Sequence, residues 1–137
     1  MSVSGGNVYV GGYVINTSCI AVATLWTNGV SASWSDGTLQ ATPYALFVSG
    51  ADVYLAGVGT TSLNVRAAMV WKNGVATMLS GGTRNAGAYG VFVAGSDVYV
   101  AGTQFRGSVD LATLWKNGSP ITLADGSEVV NMCANNY

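Results

Sequence analysis

The sequence DVYLAG at residues 52–57 decides the fold, because the chain contains it three times. The closely similar NVYVGG starts 45 residues earlier, at position 7, and DVYVAG starts 45 residues later, at position 97. A fixed period in this range is typical of proteins in which one supersecondary unit is built several times. The chain of 137 residues is therefore expected to hold three structural repeats.

Each repeat contains four short strand patterns separated by turn residues, here named A to D in chain order. In the last repeat they are YGVFV (89–93), DVYVAG (97–102), LATLWK (111–116) and ITL (121–123). These segments are rich in β-branched and aromatic residues, and no apolar pattern with helical spacing extends over ten residues. The equivalent segments predict A at 44–48, and D at 31–35 and 76–79.

The turns between strands C and D carry the sharpest local signal. An Asn-Gly pair follows a tryptophan by two residues in every repeat, at 28–29, 73–74 and 117–118. Asn and Gly tolerate the positive φ angles of a two-residue type I′ turn, so the pairs predict hairpins. The tryptophans recur in phase and are expected to pack between repeats: Trp26, Trp71 and Trp115.

Four antiparallel strands in about 45 residues, with a tryptophan at a fixed place, resemble a β-propeller blade. The resemblance covers nearly the whole chain and is to short-blade propellers of the NHL-repeat or tachylectin-like kind. It implies an all-β fold with blades at residues 1–43, 44–88 and 89–127, and the start of a further inner strand at 128–137. The alternatives are a β-solenoid, whose coils are usually shorter, and a β-sandwich, which gives no reason for repetition.

Three blades do not close a ring, because propellers typically have four to eight. A homodimer would give six blades. Val3 is in phase with Val48, Val93 and Tyr137, so residues 128–137 are expected to supply the inner strand that the partner's first blade has only in part. Two alternatives remain open: this segment frays, or the chain is a fragment of a longer propeller.

The B–C and D–A loops differ most between repeats, and in such a blade both leave from the same rim. Variable loops on a rigid scaffold are where ligands usually bind. The alternative is that these polar side chains are simply solvated, which is ordinary for loops. The candidate contacts at this rim are Asn16, Arg84, Asn85, Gln104, Arg106 and Glu128.

Composition argues against several functions. The chain has no histidine and one glutamate, which removes the commonest general base and most zinc sites and predicts no enzyme, no metal and no cofactor. One carboxylate or amide per repeat, at Asn7, Asp52 and Asp97, is expected to cap a turn rather than bind calcium. Five basic side chains are too few for nucleic-acid binding. Cys19 and Cys133 match no metal or redox spacing and are either two free thiols or one disulfide.

Localisation is indicated only by absences. No run of about 18 apolar residues predicts a membrane span, and residues 1–6 show no signal peptide, so the default expectation is cytoplasmic. Two functions fit these observations. The first is a non-enzymatic, self-assembling propeller scaffold, and the second is a lectin-like binder of a small polar ligand or carbohydrate on the loop face. The B–C loops differ in all three repeats, which favours the scaffold.

Overall fold

Twelve β-strands form the regular structure of residues 1–123, the part of the chain that the computed structural model describes. No helix occurs among these residues, and so no helix long and apolar enough to cross a membrane is found there. The strands are β1 Ser2–Ser4, β2 Asn7–Ile15, β3 Ala21–Thr27, β4 Val30–Ser33, β5 Ala41–Ser49, β6 Asp52–Thr60, β7 Arg66–Lys72, β8 Val75–Met78, β9 Ala86–Ala94, β10 Asp97–Arg106, β11 Val109–Lys116 and β12 Ser119–Thr122.

The strands form three antiparallel sheets of four, each made from consecutive strands of the chain. Sheet 1 contains β1–β4, sheet 2 contains β5–β8, and sheet 3 contains β9–β12. The predicted all-β class and the four-stranded repeat are therefore confirmed.

The Asn-Gly pairs form the predicted hairpin turns. Asn28, Asn73 and Asn117 have φ angles of 51°, 49° and 50°, and each following glycine has φ between 83° and 86°. Positive φ at both central positions is the signature of a type I′ turn. The Oδ1 atom of each asparagine also accepts the backbone N–H of the second residue of strand B, at 2.8–2.9 Å. Each C–D turn is thus hydrogen-bonded to the second strand of its own sheet.

Strands β5 and β9 begin at Ala41 and Ala86, three residues before the positions that the sequence pattern predicts. A β-bulge explains the difference. Tyr44 has no partner in β6, because Pro43 pairs with Gly57 and the next residue to pair is Ala45, opposite Ala56. An extra residue interrupts the alternation of side chains by which a strand is recognised.

The three sheets pack face to face in chain order. Strand β5 contacts β1, β2 and β3 of the preceding sheet, and β9 contacts β5, β6 and β7. Each interface has an apolar core that contains the tryptophan of its later sheet, Trp71 in one and Trp115 in the other. The packing role predicted for these two tryptophans is confirmed.

Parts of the sequence-based prediction lie outside the described residues: the inner strand at 128–137, Glu128 and Cys133. Cys19 is within them, is exposed in the loop between β2 and β3, and forms no disulfide with another residue of 1–123.

Candidate functional site

Four of the six predicted contact residues line one cavity of about 360 Å³, where the loop that joins sheet 2 to sheet 3 meets the end of β10: Arg84, Asn85, Gln104 and Arg106. Its remaining walls come from Phe105, from Ala86 at the start of β9, and from the loop between β8 and β9. The structure therefore brings these four residues together at the loop rim where the sequence predicts them. Asn16 lies elsewhere on the rim, and Glu128 lies beyond the described part of the chain.

The cavity is built on rigid elements. Gln104 lies in β10, one of the two inner strands of sheet 3, where it pairs with Ala86 on one side and Leu111 on the other. The loop that carries Arg84 and Asn85 is held against the same strand, since the backbone N–H of Phe105 donates to the carbonyl oxygen of Asn85 at 2.7 Å. The backbone on either side of the cavity is therefore held in place: Arg106 belongs to β10 itself, and the loop with Arg84 is hydrogen-bonded to that strand.

Asn85 also has a structural task that the sequence did not reveal. Its Oδ1 accepts the backbone N–H of Arg66 at the start of β7, at 3.1 Å, and so links the loop before sheet 3 to sheet 2. Gln40 does the same one repeat earlier, where its Oε1 accepts the N–H of Ala21 at 2.7 Å. The signal available in the sequence was an amide side chain directly before both long A strands.

Asn16 organises its own loop. Its Oδ1 accepts the backbone N–H groups of Ser18 and Ile20 at 2.9 and 3.0 Å, and its Nδ2 donates to the carbonyl of Gly37 at 3.1 Å. These bonds order the β2–β3 loop and join it to the loop that leads into sheet 2. Asn16 is therefore committed to backbone contacts at a distance from the arginine-lined cavity.

A second cavity, of about 520 Å³, occupies the equivalent place one repeat earlier, at the loop between β4 and β5. Leu39 stands there at the position of Arg84, and Thr61 at the position of Arg106. Trp71 and Met69 add apolar surface. Its one charged lining residue is Asp36, whose pKa is lowered mainly by hydrogen bonds from the backbone N–H and the hydroxyl of Thr38. The two cavities thus differ in charge and polarity.

The predicted turn-capping residues contact the C–D turn rather than the neighbouring A–B turn. The Oδ1 of Asp52 accepts a hydrogen bond from Asn73 at 2.8 Å, Asp97 does the same with Asn117, and Asn7 with Asn28.

Two ion pairs accompany these hydrogen bonds. Lys72 lies 3.3 Å from Asp52, and Lys116 lies 3.8 Å from Asp97. The hydrogen bond from Asn73, followed by that from Lys72, lowers the pKa of Asp52, and Asp52 in turn raises the pKa of Lys72. These carboxylates are occupied in structural contacts.

No group of three or more potential metal ligands occurs among residues 1–123. Comparison of the chain with protein-family models, curated proteins and solved structures gave no match. The site must therefore be interpreted from its own geometry.

Proposed function

We propose that the chain is a non-enzymatic, self-assembling scaffold, in which two copies close a six-bladed β-propeller as a homodimer. The observation that carries the proposal is that each end of the three-sheet stack exposes the apolar face that is buried between sheets inside the stack. Residues are compared at equivalent positions, which are 45 residues apart, or 44 beyond the shorter β10–β11 loop.

The outer face of sheet 1 has the composition of a buried face. Val10 is 38% exposed, whereas Leu55 and Val100 at the same position are 0% and 1% exposed. Trp26 is only partly buried, whereas Trp71 and Trp115 are fully buried. Exposed apolar side chains on one continuous sheet face mark an interaction surface.

The outer face of sheet 3 is exposed in the same way. Leu123 is 62% exposed, whereas Leu79 at the equivalent position is 8% exposed. Ala101 and Ala112 are exposed as well, although their counterparts in sheet 2 are buried. This face corresponds to the side of sheet 2 that sheet 3 covers.

A second copy of the chain is the occupant that fits both faces. The face that sheet 1 leaves open corresponds to the face of sheet 2 that packs on sheet 1, and the face that sheet 3 leaves open corresponds to the face of sheet 2 that packs on sheet 3. Sheet 3 of one copy therefore offers sheet 1 of another the surface that the chain already uses twice. Head-to-tail contacts of this kind form a closed ring when the rotation per step allows it.

The edge of strand β2 supports the same partner. Strand β1 pairs with β2 only at residues 7–9, whereas β5 pairs with β6 as far as Gly59. Residues 10–15 of β2 therefore have no partner on that edge within residues 1–123. We infer that the segment 128–137 of a second copy adds here as a strand, as in other cases of strand addition.

Light scattering after size-exclusion chromatography tests the assembly. A mass twice that of the 14.0 kDa chain is expected. Val10→Asp should shift the mass to that of a single chain, because it places a charge in the new interface. Leu63→Asp is the matched control, since Leu63 is 74% exposed in a loop away from both open faces. A stable monomer of the unmodified chain, or equal effects of the two variants, would contradict the proposal.

A further inference from the structure

We propose that the cavity at the β8–β9 loop and the end of β10 binds a small carboxylate-bearing ligand with the size and polarity of a sugar acid. The site lies within one chain and does not depend on the homodimer proposed above. Its main features are two arginines that no carboxylate of residues 1–123 neutralises, and a cavity large enough for one small molecule.

The distribution of ion pairs is uneven. Both lysines are paired, with Asp52 and Asp97, and these are the ion pairs found among residues 1–123. Arg84 and Arg106 form none there, yet both line the same cavity. Asp110 lies on the neighbouring strand β11, directly opposite Phe105, and it does not line the cavity. The lining of the site therefore includes two arginines that form no ion pair with a carboxylate of residues 1–123.

The fold does not require these arginines. The equivalent cavity one repeat earlier has Leu39 and Thr61 in their places, and sheets 1 and 2 pack there in the same manner. By contrast, the amide that links successive sheets is present in both, as Gln40 and Asn85. The amide hydrogen bond between successive sheets is thus the same at both interfaces. The residues at the positions of Arg84 and Arg106 differ between them.

The lining groups determine the class of ligand. A guanidinium group matches the planar geometry of a carboxylate and binds it with paired hydrogen bonds. Gln104 and Thr83 add neutral polar groups that suit hydroxyls. A volume of about 360 Å³ is at the lower end of the range for small-molecule sites. A compact polyhydroxylated carboxylate satisfies all three conditions.

Nuclear magnetic resonance titration of the full chain with sodium glucuronate tests the site, with glucose as the neutral counterpart. Glucuronate is expected to shift backbone resonances around Arg84, Gln104 and Arg106, and glucose is expected to leave them unchanged. Arg84→Gln and Arg106→Gln should each weaken binding by about tenfold, the effect of losing a charge-assisted hydrogen bond.

Arg66→Gln is the matched control, because it removes the same charge from the same rim but Arg66 does not line this cavity. The variant spectra also report whether the fold is intact. Glucuronate shifts that are absent, equal weakening by Arg66→Gln, or equal binding of glucose would overturn the proposal. Inorganic phosphate that competes as strongly as glucuronate would overturn the carboxylate assignment. None of these results depends on the oligomeric state.

Discussion

Sheets 1 and 2 have nearly the same sequence pattern but different surroundings. Sheet 2 is covered on both faces, by sheet 1 and sheet 3, and its first strand β5 is nine residues long. Sheet 1 is covered on one face within residues 1–123, and its first strand β1 has three residues. The sequence of sheet 1 nevertheless retains apolar residues and a glycine at positions that sheet 2 uses for close packing.

Comparison of the two sheets separates the contacts that a residue makes within its own sheet from those that it makes with a neighbouring sheet. Val8 and Val53 occupy the same register position beside an Asn-Gly turn, and both backbone N–H groups donate to the turn asparagine at 2.9 Å. Their burial differs, because only Val53 faces another sheet of the described chain. Substitutions at paired positions therefore measure what the missing neighbour contributes.

The largest effect is expected at the paired glycines Gly57 and Gly12. A methyl group on Gly57 would overlap the backbone of Thr42 and Pro43, at the bulge of β5. Gly57→Ala should therefore lower the free energy of unfolding by about 3 kcal/mol or more, measured by urea denaturation. Gly12→Ala should change the stability of the single chain by only about 1 kcal/mol or less, because its methyl group would meet the Trp26 ring at 3.3 Å and no backbone.

Gly12→Ala also distinguishes the single chain from the assembly. A strand from a second copy that approaches β2 as Thr42 approaches Gly57 leaves no room for the methyl group. The variant should therefore remain folded but fail to reach the dimer mass in light scattering. A Gly12→Ala protein with unchanged dimer affinity would show that no strand approaches β2 at this point.

A smaller difference is expected at Leu55 and Val10. Leu55 is fully buried between sheets 1 and 2, so Leu55→Ala should lower the free energy of unfolding by about 2–5 kcal/mol. Val10→Ala shortens a partly exposed side chain. It should therefore lower the free energy of unfolding of the single chain by less than about 1 kcal/mol.

Protein concentration sharpens this second comparison. Partner binding stabilises the folded state by mass action, so the unfolding midpoint of the unmodified chain should rise with concentration. Val10→Ala should reduce that rise, whereas Leu55→Ala should lower the midpoint at every concentration. A midpoint of the unmodified chain that does not depend on concentration would count against a second copy on the open face.

Local turn chemistry was predictable from the sequence, whereas the bulges were not. The Asn-Gly pairs specify their turns because few residues accept positive φ at two successive positions. The starts of β5 and β9 were missed because Tyr44 and Tyr89 are extra residues opposite β6 and β10, which shift the alternation by one. A one-residue shift reverses which side chains face the core, so the pattern before each tyrosine does not resemble a continuation of the strand.

The position of the candidate site was predictable from the sequence, but the separate roles of its residues were not. Loop variation indicated the rim, and the structure brings Arg84, Asn85, Gln104 and Arg106 to one cavity there. The sequence did not separate Asn85, which links two sheets, from Arg84, which makes no ion pair within residues 1–123. An amide side chain in a loop can bind either backbone or a ligand. The role of Asn85 follows only from the position of the Arg66 backbone N–H, which the sequence does not give.

The smallest effect is expected at Asp52 and its neutral counterpart Asn7. The pKa of Asp52 in the folded chain lies below its ordinary value, because Asn73 and then Lys72 donate hydrogen bonds to it. Its charged form therefore stabilises the fold above the unfolded pKa of about 4, and this contribution is lost as pH falls through the lowered folded pKa. Asn7 forms the matching bond with Asn28 without a titrating group.

Asp52→Asn should therefore slightly lower the free energy of unfolding near neutral pH, where the charged form stabilises the fold, and change it little at the acid end, so that the dependence of stability on pH in the acid range is reduced. The Oδ1 of the new amide is placed to accept the bond from Asn73 as Asn7 accepts that from Asn28, so the turn should persist and only the pairing with Lys72 is removed. The measurement is the free energy of unfolding from urea titrations between about pH 3 and pH 7. Asp110→Asn, at an exposed residue without an ion pair in residues 1–123, controls for the loss of one negative charge. Equal slopes for the two variants would show that net charge, rather than the contact of Asp52 with the C–D turn, determines the acid response.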